Sequence, residues 1–350
     1  MNALDISVVI ATYNRCEMLP RALDSVLNQD AGSVRYEVIV VDNNSIDRTR
    51  DVVAALSEGG ETRLRYVFEG RQGVAHARNA GIAAAMAPIV AFTDDDVRVA
   101  PSWLTEIKRA LDEHPDVDSV GGAILPRWPS DPPAWLTRDH WVGPLALQEY
   151  GPVPFYVNTE RPLSLAAANL AFRKSLFERI GGFNPAFSTG GDHSDTEMLI
   201  RLFRNNLQSL YTPRILVTAD VQPERLAKGY HRRWFFRAGR AQALMRFLEI
   251  FDRDGRLNEE GLVRETLFGT PAFIYRALLT EGAGWLRATV RRRESVALLR
   301  ENQLHYLVGY ISRRYEQTKG ERSRWWVPEV WRFAISLLKR KTRTVREQIR

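Results

Sequence analysis

PIVAFTDDD, residues 88–96, carries an apolar, β-branched run straight into three consecutive carboxylates, Asp94, Asp95 and Asp96. PIVAFT has the composition of a strand buried on both faces. In an open α/β sheet, ligands collect beyond the carboxyl ends of the strands. Three adjacent carboxylates repel one another, so folding alone rarely selects them. A divalent cation removes that penalty, and hard oxygen ligands of this kind suit Mg²⁺ or Mn²⁺. A solvated acidic turn is the plainer alternative, and the surrounding sequence has to decide.

Working outward, strand and helix patterns alternate through the first hundred residues. Residues 6–11, 36–41, 64–68 and 88–92 predict strands; residues 19–27, 47–56 and 74–85 predict helices, with Ser45 and Asp47 as candidate caps of the second. Repeated β-α units predict an α/β fold, a doubly wound and mostly parallel sheet with helices on both faces. A helix over 104–111 and a strand over 119–125 follow. Residues 126–162 then gather many of the prolines with several Trp and Tyr, the composition of an ordered lid or acceptor-lining loop rather than of disorder. Strands at 166–172 and 208–211 can rejoin the sheet, with a helix over 194–204 between them. From residue 223 the pattern is helical, over 232–251, 271–290, 295–315 and 327–346. These helices mix apolar stripes with arginines, which suits either helix packing or a membrane surface; 285–293 and 324–343 are the best membrane candidates.

The 350 residues, 45% hydrophobic and 26% charged, are those of a folded soluble protein with room for one large domain or two ordinary ones. The single cysteine, Cys16, excludes an intrachain disulfide and a cysteine zinc cluster, and suits a reducing compartment. The opening MNALDISVVIATYN lacks a basic segment followed by a signal-type apolar run, and no apolar stretch reaches the roughly 18 residues a spanning helix needs. A cytoplasmic location is expected. From Arg225 onward there are 28 Lys and Arg against 13 Asp and Glu, and by difference from the totals of 49 and 42, 21 against 29 before it. A basic back region fits phosphates or the anionic inner face of a membrane. Its charge lies in amphipathic helices without a nucleic-acid motif, so nucleic acid is not an expected partner.

Other strand ends carry polar groups to the same sheet edge. The first ends in Ala11-Thr12-Tyr13-Asn14-Arg15 and the second in Val41-Asp42-Asn43-Asn44-Ser45. A ring, hydroxyls and an amide suit a nucleotide base, and a carboxylate there can accept from a base N–H or a ribose hydroxyl. Asn and Asp also favour turns after strands, so neither segment decides alone. In EGRQGVAHARNAG, residues 69–81, glycines lead into a helix start that can present backbone N–H groups to phosphate, with Arg71 or Arg78 to neutralise a diphosphate. Arg78 can equally pair with the acidic triplet. His76 reads as a surface or packing residue.

SVVIATYNR, EVIVVDNNSIDRT, GVAHARNAGI and FTDDDVRVAPSWL, in this order and spacing, resemble the family 2 glycosyltransferases with a glycosyltransferase-A fold. The resemblance is strong over 5–125 and continues to about Arg240 through AAANLAFRKSLFERIGGFNPAF, SDTEMLIRL and VQPERLAKGYHRRWFFRAGRA. It implies a catalytic domain over 1–222, with a nucleotide-sugar half at 1–125 and a lid and acceptor half at 126–222, followed by a basic helical extension at 223–350. It also implies a metal-dependent, inverting transfer of a sugar from a nucleoside-diphosphate sugar, a UDP- or dTDP-sugar, to a glycan or lipid-linked glycan acceptor. Thr12, Tyr13 and Asp42 look like base and ribose contacts, with Asn14, Arg15 and Ser45 lining the same pocket. Arg78 resembles the arginine that approaches the diphosphate. Asp94 and Asp96 match the Asp-x-Asp signature of metal ligands, Asp96 bound directly and Asp94 nearer the ribose or donor sugar, with Asp95 between those roles. Asp195 matches the catalytic base, and Arg201, on the same helix, is expected to orient a phosphate or carboxylate.

The chain departs from that pattern in places. Ser194 stands where the family has Glu, for which Asp192 can compensate if its loop folds back. Residues 217–220, VTAD, lack the upstream histidine of related sequences. The aspartates and the diphosphate must then hold the metal, or His193 or His231 substitutes. Two other functions stay open on sequence: nucleotidyl transfer, whose enzymes open with a Gly-rich basic loop that TYNRCEMLP is not, and a non-catalytic, membrane-associated nucleotide-binding scaffold.

Overall fold

The structure is a computed structural model that describes residues 3–59, 61–187, 193–250 and 266–318. Asp192 and the helix expected over 327–346, with the membrane candidate at 324–343, lie outside the described residues. The chain forms two compact units: Met1–Pro132 with Trp141–Pro223, and Pro133–His140 with Glu224–Arg350. Residues 133–140, from the middle of the proline- and tryptophan-rich stretch, thus count with the helices.

The first unit is built on a sheet of nine strands among the described residues. Its strands are β1 (Ile6–Thr12), β2 (Tyr36–Asp42), β3 (Leu64–Phe68), β4 (Ile89–Asp94), β5 (Val97–Val99), β6 (Ser119–Arg127), β7 (Phe155–Val157), β8 (Asn169–Arg173) and β9 (Ser209–Asp220). They lie in the order β3-β2-β1-β4-β8-β6-β9-β5, with β7 also on β9. The first four are parallel, β8 runs against β4 and β6, and β5 and β7 run against β9, so six strands share one direction. All seven residues of β2 are buried, as a strand covered on both faces requires. Each fully buried Val, Ile or Leu contributes about 1.5–3 kcal/mol.

The helices of this unit are α1 (Leu19–Leu27), α2 (Thr49–Glu58), α3 (Val74–Ala84), α4 (Trp103–Glu113), α5 (Ser175–Ile180) and α6 (Ser194–Arg204). Gly81 on α3 lets the helix lie against β1, because a Cβ there would sit 2.3 Å from Cγ1 of Val9. Of the two candidate caps before α2, Asp47 accepts from the backbone N–H of Thr49 at 3.0 Å, whereas Ser45 is engaged elsewhere. β9 extends well beyond the expected 208–211. Its pairing with β6 is interrupted between Gly121 and Ala123, where the interval Tyr211 to Leu216 bulges over Gly122. Pro213 and Arg214 in that bulge break the apolar pattern that marks a strand in sequence.

The second unit contains α7 (Lys228–Leu244), α8 (Phe247–Ile250), α9 (Ala272–Val290) and α10 (Glu294–Thr318). The single helix expected over 232–251 is divided, with Arg246 in the left-handed region at φ 53°. Ala238, Ala243, Ile274, Tyr306, Leu307 and Tyr310 form its buried core. Two glycines let α7 and α10 cross closely: a Cβ on Gly239 would lie 1.9 Å from the Tyr306 carbonyl oxygen, and one on Gly309 2.1 Å from that of Phe236. Gly309→Ala should therefore lower stability by about 2–3 kcal/mol. Gly282→Ala, on α9 with nothing within 4 Å of its Cβ position, should be neutral or slightly stabilising. Thermal melts of the two variants check this.

His231 on α7 is fully buried, its Nε2 at 2.9 Å from the Arg225 carbonyl and its ring against Trp135 and His140. Burial holds its pKa down to about 4, with His140 adding to the effect and the Arg225 carbonyl opposing it. The unfolded chain takes up this proton near pH 6.5, so between that pH and about 4 it binds more protons than the fold. Stability should be full above pH 6.5 and fall by about 1–2 kcal/mol at pH 5 from this group. Melts at pH 7.5 and 5 should show that loss, and His231→Gln, which cannot titrate, should lessen it.

Candidate active site

The parallel register sets the site. β1 pairs with β2 and with β4, so Thr12 lies opposite Asp42, and Ala11 opposite Asp94. Three strand ends thereby open on one edge. Thr12 and Asp42 are buried there, while the Tyr13 ring is 46% exposed beyond them. The Asp42 carboxylate is fixed by two donors: the Ser45 N–H at 2.9 Å on Oδ1 and the Tyr66 hydroxyl at 2.7 Å on Oδ2. Burial, then Asp42 itself, pushes the Tyr66 hydroxyl up to about 12, so it remains a donor at neutral pH.

Asn14 and Ser45 are spent on each other's loops. The Asn14 N–H donates to Oγ of Ser45 at 2.9 Å, and Oδ1 of Asn14 accepts from the Ile46 N–H at 2.8 Å. Asn14 takes φ 51°, a left-handed conformation that Asn tolerates better than most residues. Asn43 does the same for the glycine-rich loop, accepting from the Gly73 N–H at 2.8 Å and donating to the Arg71 carbonyl at 2.7 Å. The side chain of Arg71 turns to Glu69, with Nη2 2.8 Å from Oε2, and stays exposed. It is not brought to the acidic edge.

Arg15, expected in the base pocket, reaches the triplet instead. Its Nη1 donates to Oδ1 of Asp95 at 2.7 Å and to Oδ2 of Asp96 at 2.9 Å. Gln222 adds a donor to the same Asp96 oxygen at 2.7 Å. Burial pushes Asp95 up to about 6; Asp96 and Asp94 push the same way, and Arg15 opposes them. For the Arg15 guanidinium, burial works against the charge but the two carboxylates outweigh it, and its pKa is raised.

Arg78 joins the two halves of the motif set. It is buried on α3, with Nη2 3.7 Å from Oδ1 of Asp94 and Nη1 3.4 Å from the Ser194 hydroxyl at the start of α6. Its guanidinium carbon lies 5.3 Å from the centroid of the Phe183 ring, which packs edge-on to Phe92 of β4. The next residue, Asn79, holds both the N–H and the carbonyl of Phe183 at 2.8 Å. The HARN segment thus fixes the turn before α6 as well as facing the acids.

Asp195 sits in the first turn of α6, half-buried, with Oδ1 2.7 Å from the Thr196 N–H. Tyr150, from the proline-rich loop, is close enough to feel its charge: burial, then Tyr211 and Asp195, pushes the phenol up to about 12. Arg201, expected to orient a phosphate or carboxylate, is engaged by protein groups. It bonds the carbonyls of Ile180 and Gly182 and pairs with Glu197 at 2.7 Å, so it holds the turn ahead of the helix. His231 is enclosed in the helical unit. No three His, Cys, Asp or Glu side chains among the described residues converge to hold a metal. Asn43, Tyr66, Asn79, Tyr150 and Gln222 were not singled out as site residues by sequence, although Asn43, Asn79 and Gln222 lie within the quoted motifs.

This is an acidic α/β sheet edge, with a further carboxylate supplied from a distant part of the chain. The family model for glycosyl transferase family 2 matches residues 7–181, and the chain belongs to that family. It is similar to validoxylamine A glucosyltransferase of Streptomyces hygroscopicus subsp. jinggangensis, 30% identical over 226 residues, 58% of this chain and 52% of the relative. It is also similar to the glucosyl-dolichyl phosphate glucuronosyltransferase of Haloferax volcanii, 26% identical over 194 residues, 54% of this chain and 59% of the relative. The chain spans about half the length of the curated relatives it matches. Among solved structures, the mannosyltransferase PcManGT from Pyrobaculum calidifontis, in complex with GDP-Man and Mn²⁺, superposes with a TM-score of 0.51 at 21% identity, over 97% of this chain and 81% of that one. At that identity the likeness is one of fold.

Proposed function

We propose that this protein transfers a sugar from a nucleoside-diphosphate sugar to a hydroxyl of a glycan or lipid-linked glycan, with inversion at the anomeric carbon. The observation that carries the reading is Arg78, which ties Asp94 on the donor side to Ser194, the neighbour of Asp195. An acid edge for a diphosphate and a half-buried carboxylate for an acceptor proton then belong to one site. The relatives' names support sugar transfer, and one of them names a dolichyl phosphate-linked glucose.

Thr12, Tyr13 and Asp42 bind the base and ribose, with Asp42 accepting from a base N–H or ribose hydroxyl. Arg78 and Arg15 supply guanidinium charge to the diphosphate. Asp195 takes the proton of the acceptor hydroxyl as that oxygen attacks C1 and the C1–O bond to the diphosphate breaks. Asp96 and Asp94 would hold Mg²⁺ or Mn²⁺. Two carboxylates completed by diphosphate oxygens and water fit the usual preference of Mg²⁺. Bound there, the cation would offset the charge that gathers on the leaving diphosphate.

A thermal-shift screen of UDP, dTDP and GDP and their sugars, with and without Mn²⁺, tests the reading. Binding to the folded state raises the melting temperature with ligand concentration. Shifts that require Mn²⁺ support it; no shift with any of them would contradict it.

The second unit meets an anionic membrane surface through α9. Leu279, Leu286 and Val290 are exposed on that helix, beside Arg287 and the run Arg291-Arg292-Arg293. No helix among the described residues is long and apolar enough to cross a membrane. Co-sedimentation with anionic but not neutral vesicles is expected, and absence of both would remove this part.

A further inference from the structure

The strand pairing brings the end of β9 back along the acidic triplet. β5 runs against β9, with Val97 opposite Ala219, and the Asp220 N–H donates to the Asp96 carbonyl at 2.9 Å. The strand end is held from both sides: the Asp220 carboxylate pairs with Arg98 at 3.2 Å and Arg127 at 2.8 Å, and the Val221 N–H bonds the Arg127 carbonyl at 3.1 Å. Gln222 follows directly and precedes Pro223, which restricts it to extended backbone. Its side chain therefore leaves a fixed base, and its Nε2 meets Oδ2 of Asp96 at 2.7 Å.

Arg15 donates to the same oxygen at 2.9 Å. The two donors differ in what a bound donor substrate asks of them. Arg15 is a long side chain on the loop after β1, 36% exposed, and its charge is drawn to a diphosphate. The Gln222 amide is neutral and has no such second attraction. We propose that Gln222 is a positioning residue for Asp96. Its amide N–H fixes the carboxylate in the orientation that meets the cation, and keeps it there while Arg15 exchanges the carboxylate for the diphosphate. A ligand fixed beforehand loses less rotational freedom on binding, and partners that orient metal-binding carboxylates set affinity. This role rests on the functional reading above.

Isothermal titration with UDP, dTDP and GDP, each with and without MnCl₂, tests it. Gln222→Met keeps length and removes the donor. It should weaken Mn²⁺-dependent nucleotide binding about tenfold, within the range for removing such partners, and leave Mn²⁺-free binding and the melting temperature unchanged. In an Asp96→Asn background the same change should have no further effect, because the two residues then no longer act through one carboxylate. Wild-type affinity in Gln222→Met, or an equal loss with and without Mn²⁺, would overturn the assignment. No Mn²⁺-dependent binding by the unmodified protein would instead overturn the functional reading, and the role of Gln222 with it.

Discussion

Asp195→Asn should lower the turnover number by about 10³-fold while nucleotide affinity and melting temperature stay within error of the unmodified protein. The Asp195 carboxylate makes a hydrogen bond that Asn can reproduce in place. Its Oδ1 accepts from the Thr196 N–H at 2.7 Å in the first turn of α6, and an amide oxygen can accept the same bond. Asn also suits a helix N-terminus. What Asn lacks is a site for the acceptor's proton. On the proposed reading donor binding depends on the strand-end residues, so turnover and affinity should separate. Rate assays beside titration of nucleoside diphosphate check this. Retained turnover in Asp195→Asn would assign the proton to another group, and Tyr150, a neutral phenol beside it, is poorly suited to accept one.

The second large effect belongs to Asp96. Asp96→Asn should cut turnover by about 10³-fold and abolish most of the Mn²⁺ dependence of nucleotide binding. The mechanism differs from that of Asp195, because here affinity and rate should fall together. Asn keeps an oxygen for the Gln222 amide and for Arg15, which now bond Oδ2 of Asp96 at 2.7 and 2.9 Å, so the fold should survive. It cannot supply the negative charge that a cation needs. Titration of Mn²⁺ with a nucleoside diphosphate, read beside the rate, separates this outcome from unfolding.

Much of the first unit was legible because its signals are local. Residues 19–27, 64–68 and 194–204 have apolar spacing that tertiary contacts only reinforce, and the structure gives α1, β3 and α6 those bounds. β9 was cut short at the bulge over Gly122, whose partner strand is not visible from Pro213 and Arg214 themselves. Arg246, in the left-handed region, divides a helix that periodicity alone runs through.

The site divides along the same line. Residue types at strand ends placed Asp42, Asp94 and Asp96 on one edge, and motif resemblance drew Asp195 toward it. Side-chain direction was not legible. Arg71 and Arg201 carry the charge expected of phosphate ligands, yet Glu69 and the carbonyls of Ile180 and Gly182 claim them. Gln222 lies 126 residues from Asp96 in sequence, and only the pairing of β5 with β9 brings them together.

The most direct measurement is product analysis with the unmodified protein, Mn²⁺ and UDP-, dTDP- and GDP-hexoses, water serving as acceptor where no other is supplied. The expected result is nucleoside diphosphate together with a freed or transferred sugar of inverted anomeric configuration by NMR. Pyrophosphate formed from a nucleoside triphosphate and a sugar phosphate, or no diphosphate release from any donor that binds, would contradict sugar transfer at this site.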